Sequence, residues 1–216
     1  EIAKILKDYP RVKLHSDLVQ GITKMLPDFS YDDLDMFTFT AHKIHGLKGT
    51  GALVINKNIN LEQITKGGHQ QDNLRAGTID VAGAVCLAKA LELENKDVSK
   101  KYSYVLDLYQ YLVKEISKIP NIILNKSNTH YSPYVLNFSV NGLKGETLMH
   151  FMEQQDIYLG TGSACNAKTK NLEPTLMAIY NDSVRAIDAV RISLSENNTK
   201  EEIDIFIKKL QEIGNR

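Results

Sequence analysis

The sequence predicts an α/β protein built in two parts. Three strand-like segments fall within the first quarter of the 216 residues, and a helical pattern then runs from Ile79 to about Ile119. Past Pro120 the chain returns to a mixture of strand and helix patterns. Strands on both sides of a long helical stretch indicate two α/β domains joined by helices. We place the domains at residues 1–97 and 98–216.

The first part combines a short helical pattern with three strands. Apolar residues recur at helical spacing within residues 2–6, behind a first residue, Glu1, that is not methionine. We therefore expect the chain to begin within a fold. Alternation and apolar composition predict strands at residues 11–15, 36–40 and 52–55.

The helical stretch and the second part follow from periodicity. The helical pattern breaks near Asn95–Asp97 and afterwards presents one apolar face, formed by Val105, Leu108, Leu112 and Ile116. Apolar residues alternate through 134–140, which predicts a half-buried strand. A helix at 146–155 and a strand at 157–159 come next. Thr199 and Glu202 have the spacing of a capping box, which predicts a final amphipathic helix.

Composition excludes several classes of function. The 26 basic and 26 acidic residues cancel, so no overall charge favours nucleic acid or an anionic membrane as a partner. No signal peptide and no apolar run of membrane-spanning length is found. With only two cysteines, Cys86 and Cys165, we expect a reduced, cytoplasmic protein without disulfides.

A lysine lies where an apolar strand gives way to polar residues and glycines. Lys43 follows the predicted strand 36–40, and ligands bind at the carboxyl ends of strands in open α/β sheets. A partly desolvated amine beside other cationic groups, here His42 and Lys48, can attack an aldehyde to form a Schiff base. The alternative is a solvated basic turn, which is the usual setting of a surface lysine.

A carboxylate and an amide follow the first predicted strand. The Asp17 carboxylate could lie against the pyridine nitrogen of a pyridoxal phosphate (PLP) cofactor and keep it protonated, and Gln20 could donate a hydrogen bond to the phenolic oxygen. The alternative for Asp17 is a turn or cap residue.

The two cysteines have different surroundings. Cys165 ends a loop of small residues, 160–165, with two lysines after it, and both features favour a reactive thiolate. Cys86 lies in an apolar helical run, which predicts a buried structural cysteine. A metal site could in principle combine Cys165 with histidines, but the sequence has neither a Cys-x-x-Cys pair nor regularly spaced histidines. We therefore expect no bound metal.

Arg191 interrupts an apolar, strand-like run. A guanidinium in such a position usually holds a carboxylate through two hydrogen bonds. That carboxylate could belong to a substrate or to an internal salt bridge, and the sequence alone leaves both open.

Four motifs together resemble the cysteine desulfurases, which are fold-type I PLP enzymes of the class V aminotransferase group. Their order and spacings match, and the resemblance covers nearly the whole chain. The Ser-Ala-Cys and Leu-Glu-Pro motifs are similar to the branch that serves iron–sulfur cluster assembly and tRNA thiolation. The motifs are Thr40–Lys43, Arg75–Thr78, Gly162–Cys165 with Leu172–Pro174, and Arg191–Leu194.

The resemblance implies a role for each candidate residue. Lys43 would bind PLP covalently and move the α-proton of substrate L-cysteine, and Cys165 would accept the sulfur as a persulfide, leaving L-alanine. The remaining roles are Asp17 at the pyridine nitrogen, Gln20 at the phenolic oxygen, Thr40 and His42 at the phosphate, Thr78 at the phosphate of a partner subunit, and Arg191 at the substrate carboxylate.

The resemblance also implies an assembly and a fragment. Members of the family are homodimers that pass sulfur to an acceptor protein, either an iron–sulfur scaffold or a tRNA-thiolation protein. Residues 1–97 would be the end of the large PLP-binding domain and its linking helix, and 98–216 the small domain. The N-terminal half of such an enzyme lies outside this chain, so we expect the chain alone to be incomplete for activity. The alternatives are another PLP lyase or transaminase of the same fold and a non-catalytic dimerising fragment.

Overall fold

The computed structural model describes residues 1–25, 30, 33–162 and 173–214. The chain divides into two compact units, residues 1–100 and 101–216. Both contain helices and a three-stranded sheet, so the predicted α/β class is confirmed. The assignment of 1–97 and 98–216 to the large and small domains of a longer enzyme stays a prediction.

The first unit is built on a mixed sheet in the order β1-β2-β3. Strand β1 pairs with β2 in parallel, and β2 pairs with β3 in antiparallel fashion. One face of this sheet packs on helix α2, with Phe39, Ala41, Ile44 and Leu87 at the centre of the contact. The elements are α1 (Ile2–Leu6), β1 (His15–Asp17), β2 (Met36–Thr40), a 3-10 turn (Ala41–Lys43), β3 (Gly51–Ile55) and α2 (Val81–Glu94).

The second unit has a larger core around an antiparallel sheet in the order β4-β5-β6. The alternating apolar residues of β5 are buried, as predicted. Thr199 and Glu202 form the predicted capping box, with reciprocal bonds of 3.2 and 3.1 Å. The elements are α3 (Val98–Ile116, beginning just before the boundary), β4 (Ile122–Leu124), β5 (Val135–Val140), α4 (Gly145–Glu153), α5 (Pro174–Tyr180), α6 (Ser183–Ile187), β6 (Ala189–Ser193) and α7 (Lys200–Gly214).

Three sequence predictions are corrected by the structure. The first strand occupies His15–Asp17 rather than 11–15. Residues 157–159 form no strand, because only the next residue, Gly160, bridges to β6. Cys86 is exposed rather than buried, because α2 turns a different side toward the sheet. Within the described residues, no helix is both long and apolar enough to cross a membrane.

Candidate active site

The candidate site is the edge of the first sheet at which β1 and β2 both end. The two strands are parallel, and Asp17 pairs in register with Thr38. Residues paired in this way lie on the same face, and so does Thr40, two residues further along β2. The His15 Nε2 atom lies 3.3 Å from the Thr38 hydroxyl on this face. Polar groups therefore line the face opposite the one that packs on α2.

The turn that follows β2 determines where Lys43 lies. Ala41 and Ile44 are 0% and 1% exposed, and the Ile44 amide donates to the Ala41 carbonyl at 3.0 Å. In a 3-10 turn, side chains three residues apart lie on the same side, so these two residues anchor the turn in the core. The intervening side chains must then point elsewhere: His42 is exposed and Lys43 is half-buried.

Thr40 is the centre of a small hydrogen-bond network at this turn. Its hydroxyl lies 3.1 Å from the Thr50 carbonyl, to which it donates, and 3.0 Å from Nδ1 of His42. The Thr50 carbonyl also accepts the Ala41 amide at 3.0 Å. The start of the turn is therefore bound to the beginning of β3 through one carbonyl oxygen.

A second layer of contacts, which the sequence did not reveal, joins this network to α2. The Thr50 hydroxyl donates to Oδ2 of Asp80 at 3.2 Å, and Oδ1 of Asp80 accepts the Gly83 amide at 2.9 Å as the N-cap of α2. An Asp before an apolar helical run is a cap signal that the sequence does contain. The contact with Thr50, thirty residues away, has no such signal.

Asp17 and Lys43, the charged residues at this edge, form no ion pair in the part of the chain that the structure describes. Oδ1 of Asp17 accepts the Val19 amide at 2.9 Å, and no ion pair involves either Asp17 or Lys43. Both groups are thus available to a ligand. A carboxylate, an amine, a hydroxyl and an imidazole at one sheet edge are the donor set that PLP requires, so the residues present fit that cofactor.

Two other predicted cofactor residues lie near the same elements. Gln20 is exposed, three residues beyond Asp17, and Thr78 is exposed, two residues before the Asp80 cap. Neither makes a hydrogen bond to any described residue. Their predicted contacts with the cofactor and with a partner's phosphate stay predictions.

Arg191 belongs to the second unit. It is half-buried on β6 and exchanges two backbone hydrogen bonds with Gly160, of 3.0 and 2.6 Å. Its Nη1 atom is 3.5 Å from the Gly162 carbonyl. No Asp or Glu among the described residues forms a salt bridge with it, so the alternative of an internal ion pair finds no partner there.

The predicted nucleophile, Cys165, lies outside the described residues. Gly162 and Glu173, the described residues nearest to it on either side in the sequence, come close together. A Cβ atom placed on Gly162 would lie 3.3 Å from Oε2 of Glu173. The described chain contains no group of three or more His, Cys, Asp or Glu side chains that could hold a metal ion.

Comparison with known proteins places this geometry in a family. The chain is 37% identical to a NifS/IcsS protein homolog of Lactobacillus delbrueckii over 99% of its length and 56% of the relative's. It is 31% identical to the cysteine desulfurase IscS of Dictyoglomus turgidum, covering 99% of this chain and 54% of that protein. The crystal structure of a NifS-like protein from Rickettsia africae superposes with a TM-score of 0.85 at 28% identity, over 100% of this chain and 57% of that one.

The family model itself covers most of the chain. The chain spans about half the length of the relatives it matches, which agrees with the expectation of a C-terminal portion. The model named Aminotransferase class-V matches residues 1–206. On this evidence the chain belongs to the aminotransferase class-V family.

Proposed function

We propose that this chain is the C-terminal portion of a PLP-dependent cysteine desulfurase that acts on L-cysteine. The observation that carries the proposal is the sheet edge at which two parallel strands end in Asp17 and Thr40, with His42 and Lys43 in the turn that follows the second strand. The similarity to proteins named cysteine desulfurase supports the choice of reaction within the family.

The first unit would bind the cofactor. Bound PLP would supply an electron sink conjugated to the α-carbon of the substrate. Lys43, a half-buried residue, would hold the cofactor covalently and carry the α-proton, and its amine forms no ion pair with a carboxylate among the described residues. Asp17 would keep the pyridine nitrogen protonated. The Thr40 hydroxyl and the His42 imidazole would bind the phosphate, and Gln20 would donate to the phenolic oxygen.

The second unit would supply the groups that act on cysteine itself. The Arg191 guanidinium, which has no acidic partner in the described chain, would bind the substrate carboxylate through two hydrogen bonds. The Cys165 thiolate would attack the substrate sulfur. The carbon–sulfur bond breaks with its electron pair going to carbon, and protonation of that carbon gives L-alanine. The sulfur remains on Cys165 as a persulfide.

The wider setting is proposed on the same basis. We propose a homodimer in which Thr78 of one copy reaches the phosphate bound by the other, and transfer of the persulfide sulfur to an acceptor protein of iron–sulfur assembly or tRNA thiolation. The exposed position of Thr78 is compatible with contact to a second copy. A reducing cytoplasm suits a thiol nucleophile that must stay free.

The first test is covalent capture of PLP by the chain. The protein is incubated with PLP, reduced with borohydride and mapped by mass spectrometry. We expect one dominant pyridoxyl adduct at Lys43, its loss in Lys43→Ala, and no change in Lys48→Ala, which removes an exposed lysine of the same hairpin. Labelling scattered over many lysines would contradict a specific pocket in this chain.

The second test separates a desulfurase from a transaminase of the same fold. Release of L-alanine from L-cysteine is measured with the PLP-bound protein and its Cys165→Ala variant. A desulfurase loses this activity in the variant but keeps the Lys43 adduct, because the thiol takes no part in holding PLP. Formation of the 2-oxo acid of cysteine in place of L-alanine, unchanged in Cys165→Ala, would favour the transaminase.

A further inference from the structure

The Thr40 hydroxyl has a single hydrogen but two close neighbours. Oγ1 lies 3.1 Å from the Thr50 carbonyl oxygen and 3.0 Å from Nδ1 of His42. A carbonyl oxygen can only accept, whereas a ring nitrogen of neutral histidine can either donate or accept. Counting hydrogens therefore determines how His42 is protonated.

Only one arrangement satisfies both contacts. If the Thr40 hydroxyl donates to Thr50, its oxygen must accept, so Nδ1 of His42 carries a hydrogen. The opposite arrangement, with the hydroxyl donating to Nδ1, makes one bond fewer and leaves two oxygen acceptors facing each other at 3.1 Å. In the unliganded protein, neutral His42 is thus the Nδ1–H tautomer. The Nε2 atom of this exposed residue then carries a lone pair.

We propose that His42 takes up a proton when the cofactor's phosphate binds, which rests on the proposed function of Thr40 and His42 as phosphate ligands. Phosphate oxygens are acceptors, so Nε2 can contact them only if it also carries a hydrogen. Nδ1–H still donates to the Thr40 hydroxyl oxygen, and the hydroxyl now donates to the phosphate. The Thr50 carbonyl still accepts the Ala41 amide. His42 then binds as an imidazolium, with one proton taken from solvent.

The charge around His42 suits this protonation. The phosphate brings close to two negative charges at neutral pH. The elements that adjoin His42 carry several titratable and charged groups. Lys43 lies in the same turn, Lys48 in the hairpin, His15 and Asp17 on β1, and Asp80 at the start of α2. His45 after the turn pairs with Glu94 of α2, and Lys89 pairs with Glu92 on that helix. The charges of Lys43 and Lys48 offset those of Asp17 and Asp80, and the remaining charged groups are paired with each other, so the phosphate is the largest change in charge at the site.

Proton uptake gives binding a pH dependence of known sign. Because the complex holds one more proton than the free protein, affinity falls as pH rises. One linked proton corresponds to about tenfold in affinity per pH unit. The same measurement on a variant whose residue 42 carries no ionisable side chain supplies the reference. The ratio of affinities between the two proteins isolates His42.

The tautomer is tested first, without any cofactor. Nitrogen-15 NMR of the His42 ring is recorded at pH 8, where an imidazole is ordinarily neutral. We expect a protonated Nδ1 and an unprotonated Nε2, and loss of that preference in Thr40→Val, while Thr40→Ser keeps it. An Nε2–H tautomer in the unliganded protein overturns the inference, whether or not the chain binds PLP.

Binding is tested next, with a ligand control. The affinity for PLP is measured between pH 7 and 9 for the protein and for His42→Asn, and again for pyridoxal, which lacks the phosphate. We expect the ratio of affinities, the protein over His42→Asn, to fall with rising pH for PLP, by up to about tenfold per pH unit, and to stay flat for pyridoxal. A flat PLP ratio, with neutral His42 in the complex, overturns proton uptake. Absence of any Lys43 adduct would instead refute the proposed function, because the chain would then not bind the cofactor. The NMR result for the unliganded protein would still show whether Nδ1 of His42 carries the hydrogen.

Discussion

Gly46 closes the turn that carries Lys43, and a single methyl group there should open it. The Gly46 amide donates to the Ala41 carbonyl at 2.8 Å. A Cβ atom at this position would lie 2.9 Å from the Ala41 Cβ and 3.1 Å from its carbonyl oxygen. Ala41 is fully buried and cannot withdraw. The backbone of Gly46 is not left-handed, so the cost of Gly46→Ala is the collision alone.

The magnitude follows from two opposing effects. Overpacking a fixed site costs about 1–3 kcal/mol. Replacing glycine by alanine also restricts the unfolded chain, which stabilises by about 0.4–1 kcal/mol. The difference between the two effects is a net loss of about 0–2.6 kcal/mol. Gly21→Ala is the matched control in the same unit, since its Cβ would meet nothing closer than 3.6 Å.

The assay reads the turn itself. The Ile44 amide, which donates to Ala41, reports opening of the turn through its hydrogen exchange. We expect faster exchange at Ile44 and a lower yield of the Lys43 adduct in Gly46→Ala, and neither change in Gly21→Ala. Equal behaviour of the two variants would refute the claim that close packing on Ala41 holds Lys43 in place.

Two further predictions concern the second unit. Thr199→Ala should lower the free energy of unfolding by about 1 kcal/mol, because the Glu202 amide loses its cap, whereas Thr199→Ser should not; urea unfolding measures both. Tyr109→Phe should leave the free energy of unfolding unchanged or raise it by up to about 1 kcal/mol, because the buried Tyr109 hydroxyl has no hydrogen-bond partner among the described residues. A marked loss of stability in Tyr109→Phe would reveal a partner for that hydroxyl.

The sequence predicted the parts of the site that depend on local pattern. The strand before Lys43 and the capping box at Thr199 are both recognisable within a few residues, and both are confirmed. The burial of Cys86 was predicted wrongly because α2 is apolar on nearly every side, so periodicity could not tell which side meets the sheet. The bond between Thr50 and Asp80 joins elements thirty residues apart, and no local pattern encodes such a contact.

The two units differ in the size of their apolar cores. The second unit has a large apolar core, whereas the described core of the first is a small cluster around Phe39, Ala41, Ile44 and Leu87. Two of those four residues, Ala41 and Ile44, lie on either side of His42 and Lys43, so half of this small cluster anchors the turn. The network from Thr40 through Thr50 then sets the direction of its polar groups. Since so little of this unit is buried, the geometry of the candidate site depends on single contacts, and a change of one methyl group or one proton there should be measurable.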